Sequence, residues 1–163
     1  MREKLGFTLI ELVFYLAIAS IILLSVGSLF RTMSELRLKN QVIITVEEEG
    51  RQAMDYILKS IRSATSVSSP IPNNNSPSLT LNINGVINIF DISTNRLRLT
   101  EGASQPIFIT SDKTTVSDLT FQNLANTSTK DNIGVQFTLT YINNTSRPEY
   151  NYAKIFNGAS GRR

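Results

Sequence analysis

Residues 1–30 read MREKLGFTLIELVFYLAIASIILLSVGSLF, and this stretch decides the architecture of the whole chain. Met1 to Gly6 carry Arg2 and Lys4 against Glu3. From Phe7 to Phe30 there is no Lys, Arg or Asp, and Glu11 is the single acid. At 1.5 Å per residue these 24 residues span roughly 36 Å as a helix, enough to cross a hydrocarbon core of about 30 Å. A cleaved secretory signal would close its apolar region earlier, at a small-x-small site. Ala17-Ile18-Ala19 imitates such a site, but apolar sequence continues well past it. The run therefore reads as an anchor that stays. Its basic leader is expected to remain cytoplasmic, with the carboxyl-terminal bulk on the other side.

Glu11 does not belong in such a run. A carboxylate at the centre of a membrane helix costs about 2.5–3.5 kcal/mol, and less near the interface, so it requires a partner. No Lys or Arg follows within two turns, and Arg2 and Lys4 sit in the leader. A free α-amino group on Phe7, made by cutting the chain just before it, would supply the missing cation.

Gly6-Phe7-Thr8-Leu9-Ile10-Glu11 resembles the class III signal of type IV prepilins and type II secretion pseudoprepilins. The resemblance implies that a prepilin peptidase cuts between Gly6 and Phe7 and then N-methylates Phe7. It also implies that Glu11 engages the amino terminus of a neighbouring subunit during filament assembly. The physics agrees with that role: two buried charges offset each other when paired, and an unpaired one costs several kcal/mol. In the resting subunit, Glu11 could instead meet its own Phe7 amine across i to i+4.

Composition narrows the rest. The 163-residue chain has no Cys, which excludes disulfides and thiolate metal sites, and no His, the commonest general base. No catalytic residues, cofactor or metal are expected. The net charge of +3 is spread along the chain and gives no strong case for nucleic acid. A DNA-capturing role would draw on Arg96, Arg98, Arg147, Lys154, Arg162 and Arg163, with Tyr141, Tyr150 and Tyr152 to stack on bases.

The helix should continue past the membrane. Apolar residues from Met33 to Ile61 recur at spacings of three and four, predicting a helix over 8–64, loosened around 41–45 and weakened at Gly50. Gly27-Ser28 stands where major pilins often carry a Pro. The Glu47-Glu48-Glu49 run reads most simply as a solvated face, with subunit contacts or metal capture as the alternative. Residues 66–78, rich in Ser, Asn and Pro, read as a linker. Beyond it, Asn84-Gly85 marks a hairpin between strands at 79–83 and 86–92. Further strands are predicted at 96–100, 106–110, 116–122, 133–142 and 150–156, forming a one-sided antiparallel sheet over the helix.

The expected fold is α+β, a long amino-terminal helix packed against a small antiparallel β-sheet head. It divides into leader 1–6, apolar assembly helix 7–30, amphipathic continuation 31–64 and extracytoplasmic head 65–163. The layout of the head is similar to PilW-type minor pilins and J-type minor pseudopilins. The resemblance implies a low-abundance subunit that primes or caps a filament; the alternatives are a major pilin or a DNA-capturing minor pilin. Its implied partners are other pilin or pseudopilin subunits, the prepilin peptidase, the inner-membrane assembly platform and, before assembly, membrane lipid.

Overall fold

The computed structural model of the protein describes residues 8–126, 130–145 and 147–162. It contains one α-helix, one 3₁₀ turn and nine strands among those residues, grouped into two compact units, Met1–Lys39 and Asn40–Arg163. The helix α1, Leu9–Ser63, is continuous through the β-branched stretch at 41–45 and through both Gly27 and Gly50. It begins and ends within a residue of the predicted limits.

In the first unit the helix stands by itself, with nearly every side chain exposed. Its hydroxyl residues are turned back onto the helix. Ser20 donates to the Ala17 carbonyl at 2.8 Å, Ser25 to Ile21 at 2.9 Å and Ser28 to Ser25 at 2.8 Å. No hydroxyl in this set needs water, which suits a helix whose surroundings are apolar.

The second unit holds the core. The strands are β1 (Ser66–Ser69), β2 (Asn75–Ser76), β3 (Leu79–Ile83), β4 (Val86–Ser93) and β5 (Arg96–Glu101), then β6 (Ile107–Phe108), β7 (Thr114–Asn123), β8 (Asn132–Tyr141) and β9 (Ala153–Gly161). They form two sheets where the alternation suggested one. One sheet has the order β1-β3-β4-β5-β6 and the other β2-β7-β8-β9, with every pair antiparallel. Alternation reveals which side of a strand is buried but not which sheet it joins. Val46, Ala53, Ile57 and Ile61 on one side of the helix share a core with Leu81, Phe90 and Leu99 from the first sheet and Phe121, Phe137 and Leu139 from the second.

Several boundaries differ from expectation for local reasons. The Ser/Asn/Pro-rich segment 66–78 contains two short strands, because β1 pairs with β3 and β2 pairs with β7. The segment 106–110 contributes only the two residues of β6. Pro148 opens a 3₁₀ turn over Pro148–Tyr150, so β9 begins later than predicted. It then extends through Ala159-Ser160-Gly161, poor strand formers held by pairing with 132–134 of β8. The Asn84-Gly85 hairpin forms as read: both residues have positive φ, 53° and 86°, as a two-residue type I′ turn requires.

Candidate assembly site

Thr8 is the last residue before α1, and Glu11 lies in its first turn. The backbone amides of Glu11 and Leu12 donate to the Thr8 carbonyl at 3.1 and 3.2 Å, and the Thr8 hydroxyl reaches Glu11 Oε2 at 3.5 Å. Thr-x-x-Glu has the spacing of a capping box, but here the hydroxyl meets the carboxylate itself; an acid in this turn faces the positive end of the helix dipole. The cost of a carboxylate in the apolar run is thereby reduced by its position. The sequence reading weighed Glu11 only as a buried charge and missed this local role, although the Thr8-to-Glu11 spacing carried it. Arg2, Lys4, Gly6 and Phe7 lie outside the described residues.

From Leu9 onward the helix presents apolar side chains all round. Leu12, Tyr15, Leu16 and Ala19 border a shallow apolar notch on it. Length and composition suffice to cross a membrane, and none of the most apolar 18-residue window is buried.

In the second unit, α1 is fastened to β9 by a ladder of four contacts. Lys154 Nζ meets Glu47 Oε1 at 2.9 Å. The Phe156 ring fills the space over Gly50, and Gly158 opens the space occupied by Met54 and Leu58. Arg62 Nε donates to the Ser160 hydroxyl at 3.1 Å. The rungs run from Glu47 to Arg62 on the helix, about 22 Å at 1.5 Å per residue, and from Lys154 to Ser160 on the strand, about 20 Å at 3.3 Å per residue, so they stay in register. Phe156 also stacks on Phe137 at 5.4 Å between ring centroids.

The acidic run is a solvated face only in part. Glu47 binds Lys154 and Arg51, both at 2.9 Å. The Lys154 hydrogen bond holds the Glu47 carboxyl below its usual value, with the charges of Lys154 and Arg51 adding to it against some desolvation. Glu49 accepts from the Ser111 amide at 3.2 Å, the Ser111 hydroxyl at 2.6 Å and the Thr114 hydroxyl at 2.7 Å. Glu48 is exposed, and Glu47 and Glu49 are half-buried. Apart from Arg51, these partners are 62 to 107 positions away, so no local signal announced them.

The basic residues considered for DNA are mostly engaged within the head. Arg98 forms a two-pronged pair with Asp91 at 2.8 and 2.5 Å, and that hydrogen bonding raises the arginine's pKa further. Arg96 lies 4.2 Å over the Phe108 ring and donates to the Thr110 carbonyl at 2.7 and 3.0 Å. Arg162 is 3.5 Å from Asp131, and Lys154 belongs to the ladder. Tyr141 and Tyr150 stack on each other at 5.9 Å, and Tyr152 leans on Glu47. Arg147 is exposed, and Arg163 lies outside the described residues. Among the described residues, most of these basic and aromatic side chains are therefore engaged in contacts within the head. Among the described residues no group of three His, Cys, Asp or Glu converges to hold a metal.

The amino-terminal segment has a match among known families. Residues 1–27 match the prokaryotic N-terminal methylation motif. That motif supports the type IV pilin and pseudopilin class, and with the apolar helix it fits a membrane-anchored subunit of a filament. The class implies assembly with other pilin subunits and processing by a prepilin peptidase. The match speaks for the first 27 residues. Comparison with curated proteins and with solved structures returns no match.

Proposed function

We propose that the protein is a structural subunit of a type IV pilus-like filament, cut between Gly6 and Phe7, methylated on Phe7 and held in the filament through Glu11. The methylation motif over residues 1–27 carries this reading. In it, the basic leader with Arg2 and Lys4 stays cytoplasmic, and the apolar helix rests in membrane lipid until the assembly platform extracts it. The new Phe7 amine of one subunit meets Glu11 of a neighbour. The acid is then a register device, because only one axial stagger satisfies both charges.

The head serves as the outward-facing part, and the role is structural rather than catalytic. A low-abundance priming or capping subunit, of the PilW or J type, is the form favoured by the head's layout; a major pilin is the alternative. Abundance separates them, since a major pilin dominates sheared filaments and a minor one is scarce there.

Intact mass tests the processing step. Co-expression with a prepilin peptidase should yield a chain lacking residues 1–6 and carrying one added methyl group at Phe7. A Gly6→Leu variant should retain the leader. A chain that stays at full length beside an active peptidase would overturn the reading.

A further inference from the structure

The β3–β4 hairpin and the end of β5 border an open hollow of about 270 Å³ lined by Ile83, Asn84, Val86, Asn88 and Glu101. Asn88 and Glu101 face each other across the β4–β5 pairing. Asn88 is 7% exposed, and its side-chain oxygen has no hydrogen-bond partner. A buried polar atom left unpaired is unfavourable and uncommon in folded proteins. The two ends of an Asn amide exchange by a simple flip, so this side chain can turn its acceptor toward the hollow. Glu101 adds a carboxylate to the same wall, and Ile83 and Val86 supply apolar sides.

We propose that this hollow binds a primary alkylammonium group. An ammonium ion has three donors and no acceptor, which matches the Glu101 carboxylate and the unpaired Asn88 oxygen. Its alkyl stem lies along Ile83 and Val86, as lysine stems lie along apolar surface elsewhere. An anion is repelled by Glu101. A divalent cation would find one carboxylate in the lining, and no cluster of three His, Cys, Asp or Glu occurs among the described residues. The phenol of Tyr56 senses the same carboxylate: burial first, then the charge and hydrogen bonding of Glu101, raise its pKa. The site is independent of whether the chain enters a filament.

The test uses the full chain in detergent micelles at neutral pH, titrated with n-butylammonium chloride and followed by the side-chain amide resonances of Asn88. The expected result is a saturable shift that neutral n-butanol does not produce. Glu101→Gln should weaken binding roughly tenfold or more, as loss of a charged hydrogen bond does. Val86→Trp, which fills the hollow from an exposed position, should block binding with the fold intact. Equal shifts with n-butanol, or unchanged affinity in both variants, would overturn the proposal. Tighter binding of Nα-acetyl-lysine methylamide than of cadaverine assigns the group to a protein side chain. The reverse order assigns it to a free polyamine.

Discussion

A Cβ placed on Gly50 would lie 2.0 Å from Cζ of Phe156. The helix and β9 approach this closely because one of the two residues has no side chain. Read from sequence, Gly50 is a weak point in a helix; in the fold it is the hole into which the head's last strand inserts a ring. Phe156 has little room to retreat, being 8% exposed and stacked on Phe137.

Gly50→Ala is therefore expected to destabilise the head by about 1–3 kcal/mol, the range of an overpacked core, despite alanine's better helix propensity of up to ~1 kcal/mol. Thermal unfolding by circular dichroism checks it. Adding Phe156→Leu should make the double variant less damaged than the sum of the two single changes. Additive losses would show that the ring and the glycine do not interact.

Glu47 should give the head an acid-sensitive limb. Its folded pKa lies below the ordinary 4.5, so the stabilisation is complete above that value and is lost as pH falls through the folded value. Melting temperature measured from pH 6 downward should fall more steeply in the wild type than in Glu47→Gln. Because the group is solvent-accessible, added salt should shrink the difference. Parallel curves for the two proteins would remove Glu47 from the acid response.

Removing Glu49 should loosen the segment between β6 and β7. Its carboxylate holds Ser111 and Thr114 through three hydrogen bonds. Glu49→Ala should cost about 1–3 kcal/mol, the scale for stranding polar partners. Hydrogen exchange at the Ser111 and Lys113 amides should accelerate while the β3–β4 hairpin keeps its protection. Uniform acceleration across the head would instead mean global destabilisation.

For Glu11, the expectation is a defect of assembly rather than insertion. Glu11→Val removes a charge from the apolar run, so membrane integration should be unchanged or improved. Crosslinking of the variant to copurifying filament subunits should fall. Normal incorporation would leave Glu11 with only its contact to Thr8 at the start of the helix.

What could be read from the sequence was what depends on neighbours in the chain. The apolar run, the Asn84-Gly85 turn and the three-and-four spacing of Ile57 and Ile61 are each complete within a few residues. So is the Gly6-to-Glu11 motif. The division into two sheets was hidden, because β2 crosses to pair with β7 from a segment whose composition favours a loop. Glu47 and Glu49 looked like solvent-facing acids because Lys154, Ser111 and Thr114 lie 62 to 107 positions later. The end of β9 was missed for the same reason: Gly158 and Gly161 are poor strand residues, kept extended by β8 and, at Gly158, by the fit to Met54.

The ladder between α1 and β9 also sets an order in time. The helix is synthesised before any strand, and β9 after every other described element. Throughout translation the Gly50 side of the helix lacks the strand that closes it, and Glu47 has no Lys154 to bind. Contacts this distant in sequence are slow to form. The nascent head is thus held to late completion, and any truncation that removes β9 would leave the Met54–Leu58 side of the helix uncovered, a surface prone to aggregation.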